Sequence, residues 1–407
     1  MKYETIIIGG GLSGLLSGIS LAEQGKKVAI ISAGQSALHF SSGSFELFNS
    51  ENPMEGIASL SESHPYKKIG LDSVARYADK AVEIFARAGV KLSGDKNRNH
   101  YRITPIGMIK SAWLTIDDYA TFESSETMPW QRVALVNFDG YIDFYPKFLE
   151  SGFAKRGVAC DNITLALKEF ERLRESTTEM RATTIARIMT GDLLTKIALE
   201  LKNLIGDAEA LFLPAVFGMF NDEAVAALRS AVRVPLYFIP TMPASVPGVR
   251  TQLQLKNYFQ RLGGVYLLGD NVTGGVMEGD RLKSISTVNH GGVKLEADNF
   301  ILATGSFFSH GLIASQNHIY EPIFNLDVVA DEHRSDWYNK DLYAHQPYMG
   351  YGVSTDSALH CMHDGKAIEN LYAAGSVLAA QNPIEEGTGG GVAITTALFV
   401  ADQIINA

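Results

Sequence analysis

The stretch Gly9-Gly10-Gly11-Leu12-Ser13-Gly14 is the feature that most restricts how this chain can fold. It follows Thr5-Ile6-Ile7-Ile8, a short β-branched run that reads as a buried parallel strand. Leu12 to Gln24 then carries apolar residues at helical spacing and stops at Gly25. Lys27 to Ser32 returns as a second strand. In this strand–turn–helix–strand setting, Gly-x-Gly-x-x-Gly is the phosphate-binding unit of a Rossmann-type fold. Gly9 permits the tight turn, Gly11 lets the backbone approach a phosphate, and Gly14 lets the helix pack on the strand. Leu12 and Ser13 open the helix, where free N–H groups and a partial positive charge favour an anion. The second strand ends in Ser32, where an acidic residue would hold the ribose hydroxyls of an adenosine.

Three later segments add candidate binding residues. Gln35 to Gly43 follows the second strand directly, so Ser41, Ser42 and Gly43 are placed to line a pocket beyond the strand ends, with His39 a candidate for proton transfer. Asn299 to Ala303 reads as a strand ending in Thr304-Gly305, a point of close backbone approach. Leu371-Tyr372-Ala373-Ala374 ends in Gly375-Ser376. Gly389-Gly390-Gly391 then precedes an apolar helix expected from Val392 to Ile405 and can bring backbone N–H groups against a ligand ring.

At 407 residues the chain is too long for one compact core. Between Arg132 and Ile239, strands alternate with helices, which predicts a second parallel α/β layer. The expected organisation is a first domain part over 1–125, an insertion over 126–245, and a second part over 246–407. Within it, strands are expected at 163–170 and 210–216, helices at 71–88 and 253–262, and loop over 34–64. The only cysteines, Cys160 and Cys361, cannot by themselves ligate an Fe–S cluster or a structural zinc, so no metal site is expected. No Lys/Arg block suggests nucleic acid, and no uninterrupted apolar run of about 18 residues suggests a membrane span.

The order of these motifs resembles the FAD-dependent reductase superfamily of the fumarate reductase and glutathione reductase type. Four strings bring the resemblance closer: Gly34 to Ser44, Arg102 to Gly107, Ala303 to Ser309, and Glu321 to Val328. Together, over nearly the whole chain, they resemble the B subunits of bacterial anaerobic glycerol-3-phosphate dehydrogenases. The resemblance implies an α/β fold: a Rossmann-type flavin-binding domain, like that of glutathione reductase, with an inserted second α/β domain. It implies a flavin, FMN by family assignment or FAD if the glycine turn is taken as a pyrophosphate cradle. It implies a respiratory complex that oxidises sn-glycerol 3-phosphate to dihydroxyacetone phosphate and passes electrons to quinone, with fumarate or nitrate as terminal acceptor. The partners would be an A-type FAD dehydrogenase subunit and a C-type Fe–S membrane-anchor subunit. The chain would then be cytoplasmic and peripheral to the inner membrane through a partner. Ser376 departs from the superfamily pattern, which carries an acid near that position. Two alternatives stay open: a free-standing FAD-dependent oxidoreductase of a small hydroxy acid or amine, and a non-catalytic assembly subunit.

Overall fold

The N-terminal apolar run becomes the strand Lys2–Ile8, seen in a computed structural model that describes residues 2–176 and 178–407. It lies in the middle of a sheet, which is why Ile6, Ile7 and Ile8 are all buried. On one side Thr5–Ile8 runs parallel to Val28–Ile31, and Val265–Leu268 lies beyond. On the other side the whole strand runs parallel to Leu295–Leu302, which pairs at its end with Lys366–Ala373. The five strands therefore finish at one edge, near Ile8, Ser32, Leu268, Leu302 and Ala373. In an open parallel sheet that edge is where ligands bind. An antiparallel hairpin, Val272–Glu278 with Arg281–Thr287, joins Leu295–Leu302 at its other end.

Leu12–Glu23 and the C-terminal helix Gly389–Asn406 pack together and are buried on nearly every side, as their all-round apolar sequences require. Leu71–Arg87 is amphipathic instead. It buries Val74, Tyr77, Ala78, Ala81, Ile84 and Phe85 at helical spacing against the C-terminal helix.

A second sheet is wholly parallel, in the order Ala159–Leu165, Arg132–Phe138, Ala210–Pro214, Leu236–Ile239. It has its own core, in which Trp130, Phe153, Phe212 and Tyr237 form an aromatic cluster with centroids 5.2–5.6 Å apart. The chain enters and leaves this layer side by side: Phe238 N–H donates to Asp118 O at 2.9 Å, and Tyr119 bridges Phe238.

Four elements differ from expectation. The strand expected over 163–170 is Ala159–Leu165, and Lys168–Phe170 is a short 3-10 turn. This strand lies at the sheet edge, where polar Asp161 and Asn162 are tolerated, so apolarity misplaced it. The helix expected from 253 starts at Val246. Ser245 Oγ caps it by accepting the Gly248 N–H at 3.1 Å, and Pro247 sits in its first turn. The loop expected over 34–64 contains the helix Pro53–Ala58 and the strand Ser44–Phe45. The three glycines at 389–391 are the first turn of the last helix rather than a loop before it.

Candidate functional site

A cavity of about 570 Å³ opens at the carboxyl edge of the first sheet. The turn from Gly9 to Ser13 forms its floor. Gly9 has φ +118°, and a Cβ there would lie 2.1 Å from Ala303 O. At Gly14 a Cβ would lie 1.9 Å from Gly9 O, so glycine lets the helix close on the turn. Gly11 is the opposite case: a Cβ would meet nothing within 4 Å, because this residue faces open cavity. No side chain caps the helix that starts at Leu12. Its first N–H groups are left for a ligand, and an anion is the ligand they suit.

The C-terminal helix starts in the same cavity and also has no side-chain cap, with Gly389, Gly390 and Ala393 in the lining. Gly390 approaches Phe45, where a Cβ would lie 3.1 Å from the Phe45 Cβ. Two uncapped helix starts and one glycine turn thus converge on one space. Thr304 also lines it, and its buried Oγ1 has no hydrogen-bond partner. An orphaned hydroxyl and a gap in front of Gly11 fit a bound group with phosphate and polar ring edges.

Of the expected binding residues, Gly9, Gly11, Leu12, Ser13, Ser32, Ser41, Thr304, Gly305, Ser376, Gly389 and Gly390 line the cavity. Gly14, Ser42, Gly43, Gly375 and Gly391 stand behind it. A Cβ at Gly375 would lie 2.1 Å from Ser13 Oγ, and one at Gly391 would lie 2.1 Å from Tyr66 Oη. Gly43, at φ +83°, packs between Ile116 and Tyr119. Ser42 turns away and accepts a 2.6 Å hydrogen bond from Arg102 Nη2. His39 is outside the lining. Its ring is hydrogen-bonded to Gln252, and burial holds its pKa below the ordinary histidine value despite that bond. Ser32 Oγ donates to Gly34 O at 2.9 Å and also meets the Tyr266 hydroxyl.

Sequence reasoning missed Asp270, Asn271 and Val272, which close the cavity beside Ser32 and Gln35. Asp270 is buried, accepts from Asn289 N–H at 2.9 Å, and lies 2.8 Å from His290 Nδ1. Burial would raise its carboxyl pKa, but the hydrogen bonds from Asn289, Thr287 and His290 prevail and hold it low. Also missed were His310, Pro322 and Ile323 at the rim. The Glu321 carboxylate builds that turn by accepting the Ile323 and Phe324 N–H groups at 2.9 and 2.7 Å. Phe308 lines the mouth and meets Phe40 edge to face at 5.4 Å.

The parallel sheet, the glycine turn and the paired helix starts define a flavoprotein of the FAD-binding α/β class. The family model described as "FAD binding domain" matches residues 4–392. The B subunit of anaerobic glycerol-3-phosphate dehydrogenase from Yersinia enterocolitica is 41% identical, covering 100% of this chain and 99% of its own. The corresponding B subunit from Pectobacterium atrosepticum is 35% identical over the same shares. The chain belongs to the family of anaerobic glycerol-3-phosphate dehydrogenase B subunits. Among solved structures, the 3-ketosteroid Δ1-dehydrogenase of Sterolibacterium denitrificans aligns at TM-score 0.47 and 11% identity, over 100% of this chain and 99% of that one. No helix among the described residues is long and apolar enough to cross a membrane.

Proposed function

We propose that the chain is the flavin-carrying subunit of a complex that oxidises sn-glycerol 3-phosphate to dihydroxyacetone phosphate and hands the electrons to quinone. The observation that supports this reading best is the convergence of two uncapped helix starts and the Gly9–Gly14 turn on one cavity, in a chain whose relatives bear that enzyme's name. A bound flavin supplies two-electron redox chemistry. The Gly11 backbone and the Leu12 and Ser13 N–H groups would hold its phosphate, and Gly389 and Gly390 its ring end. Phe40 and Phe308 would keep water from the mouth. The relatives are named as subunits, and with Cys160 and Cys361 both free and far from cluster stoichiometry, electrons leave through another polypeptide. We assign that role to A-type and C-type partners, with the chain held peripherally at the cytoplasmic face.

The flavin we propose is FAD. The cavity continues past the glycine turn to Ser32–Gln35 and Asp270–Val272. FMN ends at a single phosphate and leaves that half unfilled. Heat release of the cofactor from purified protein, followed by mass spectrometry, should return FAD; FMN would overturn the assignment, and a colourless protein would overturn the flavin itself. The isolated chain should show negligible glycerol 3-phosphate:quinone turnover and gain it on addition of its partners. Full turnover by the chain alone would instead favour a free-standing oxidoreductase.

A further inference from the structure

The ring end of the cavity is walled by Ser41, Ser44, Phe45, Gly389 and Gly390, none of which titrates near neutral pH. Among the described residues, the only acid or imidazole in the lining are Asp270 and His310. Asp270 is at the far end, engaged with Asn289 and His290, and His310 is at the exposed rim. A flavin that gains two electrons as electrons, rather than as hydride, must also gain a proton. Nothing in the wall offers one directly.

Behind the wall there is a route. Ser44 and Thr115 face each other across the antiparallel pair Ser44–Phe45 and Leu114–Ile116. Thr115 Oγ1 donates to Ser44 Oγ at 3.1 Å, and His100 Nε2 lies 2.7 Å from Thr115 Oγ1. Thr115 spends its proton on Ser44, so His100 Nε2–H must be the donor to Thr115, and the Ser44 hydrogen is left free for the cavity. The three groups form a chain of donors pointing inward. Thr115 is fully buried, while the His100 ring is reached by solvent. Arg102, on the same strand, is buried and makes one short hydrogen bond, to Ser42, with its Nε unpartnered. Burial first, and the Arg102 charge second, push the His100 pKa down to about 4, so the ring is neutral at physiological pH. A neutral imidazole can give a proton from Nε2 and take one at Nδ1 without ever carrying charge into this interior.

We propose that Ser44, Thr115 and His100 form a proton relay between solvent and the flavin ring. It rests on the flavin seat proposed above. For each electron pair that enters, Ser44 Oγ gives its proton to the reduced ring. Thr115 Oγ1 refills Ser44, His100 Nε2 refills Thr115, and solvent returns a proton to His100 Nδ1. When the electron pair leaves to an acceptor, the same proton returns along the same groups. A relay changes the rate of proton movement and not its equilibrium.

The test uses the holoprotein loaded with its own flavin, labelled with nitrogen-15 and reduced with dithionite. After transfer to D₂O, the decay of the N5–H signal measures proton exchange directly. Thr115→Val keeps the shape and removes the hydroxyl, so exchange should slow by about 100-fold, the low end of what a positioned proton donor supplies. Thr115→Ser should restore it. Flavin affinity and midpoint potential should not move in either variant. Ser44→Ala provides the same break should Thr115→Val fold poorly. Exchange at the wild-type rate in flavin-loaded Thr115→Val or Ser44→Ala overturns the relay, whereas a wild-type chain that carries no flavin overturns the seat on which it rests.

Discussion

Gly11→Val is expected to empty the cavity and leave the fold intact. A side chain at Gly11 would meet no protein atom within 4 Å, so the apoprotein has no clash to relieve. It would project instead into the gap where the backbone approaches a phosphate. Flavin affinity should fall by at least about 100-fold, or about 3 kcal/mol, while thermal unfolding of the apoprotein stays close to wild type. Gly9→Ala is the counterpart. The residue sits at φ +118°, and the new Cβ would overlap Ala303 O in the next strand. Destabilisation on the order of 3 kcal/mol is expected, with the flavin lost as a consequence of unfolding. Urea unfolding of the two apoproteins beside flavin titrations separates the cases. Equal loss of stability in both would mean that Gly11 serves the turn and not the ligand.

Acid should weaken the fold in part through His100. His100 titrates near pH 4 in the folded chain, against 6.5 when unperturbed, because it is buried and stands beside Arg102. Between those values the unfolded chain binds a proton that the folded chain refuses. Stability therefore falls as pH drops from 6.5 toward 4, and the contribution of this group is fully present above 6.5. The loss from this group should be about 2 kcal/mol by pH 4.5, allowing for the part of the ring that solvent reaches. His100→Gln, which cannot titrate, should remove that part of the acid sensitivity. Denaturant unfolding at pH 7 and pH 4.5 measures it; parallel losses in wild type and variant would show that the acid-sensitive groups lie elsewhere.

The legibility of the molecule varies with the kind of residue involved. The first βαβ unit can be read directly, since Ile6–Ile8, the Gly9–Gly14 turn and the helix from Leu12 each follow local rules. The closing elements of the cavity cannot. Asp270–Val272 reach it only because Val265–Leu268 pairs with Val28–Ser32, a contact between residues more than 230 positions apart. No local pattern announces such a pairing. Ser41 and Ser42 are adjacent and chemically identical, yet one lines the cavity and the other binds Arg102. Their alternation depends on the conformation of the loop, which serine content does not specify. His39 is the imidazole nearest the glycine motif in the sequence, whereas the His100 network emerges only from the register that sets Ser44 against Thr115.

The central position of Lys2–Ile8 also dictates the order in which the molecule can be completed as it is made. Its partner Leu295–Leu302 and the helix Gly389–Asn406 that packs on Leu12–Glu23 leave the ribosome hundreds of residues later. Until then the apolar N-terminal strand has only Val28–Ser32 beside it, and the cavity lacks half its wall. The all-parallel layer between Arg132 and Ile239 draws its strands from about a hundred consecutive residues and can close during synthesis. The flavin, by contrast, must be captured after translation has passed Ala393. A nascent chain of this design spends most of its synthesis with an exposed β-branched strand, which makes slow assembly of the first sheet the step most open to chaperone control.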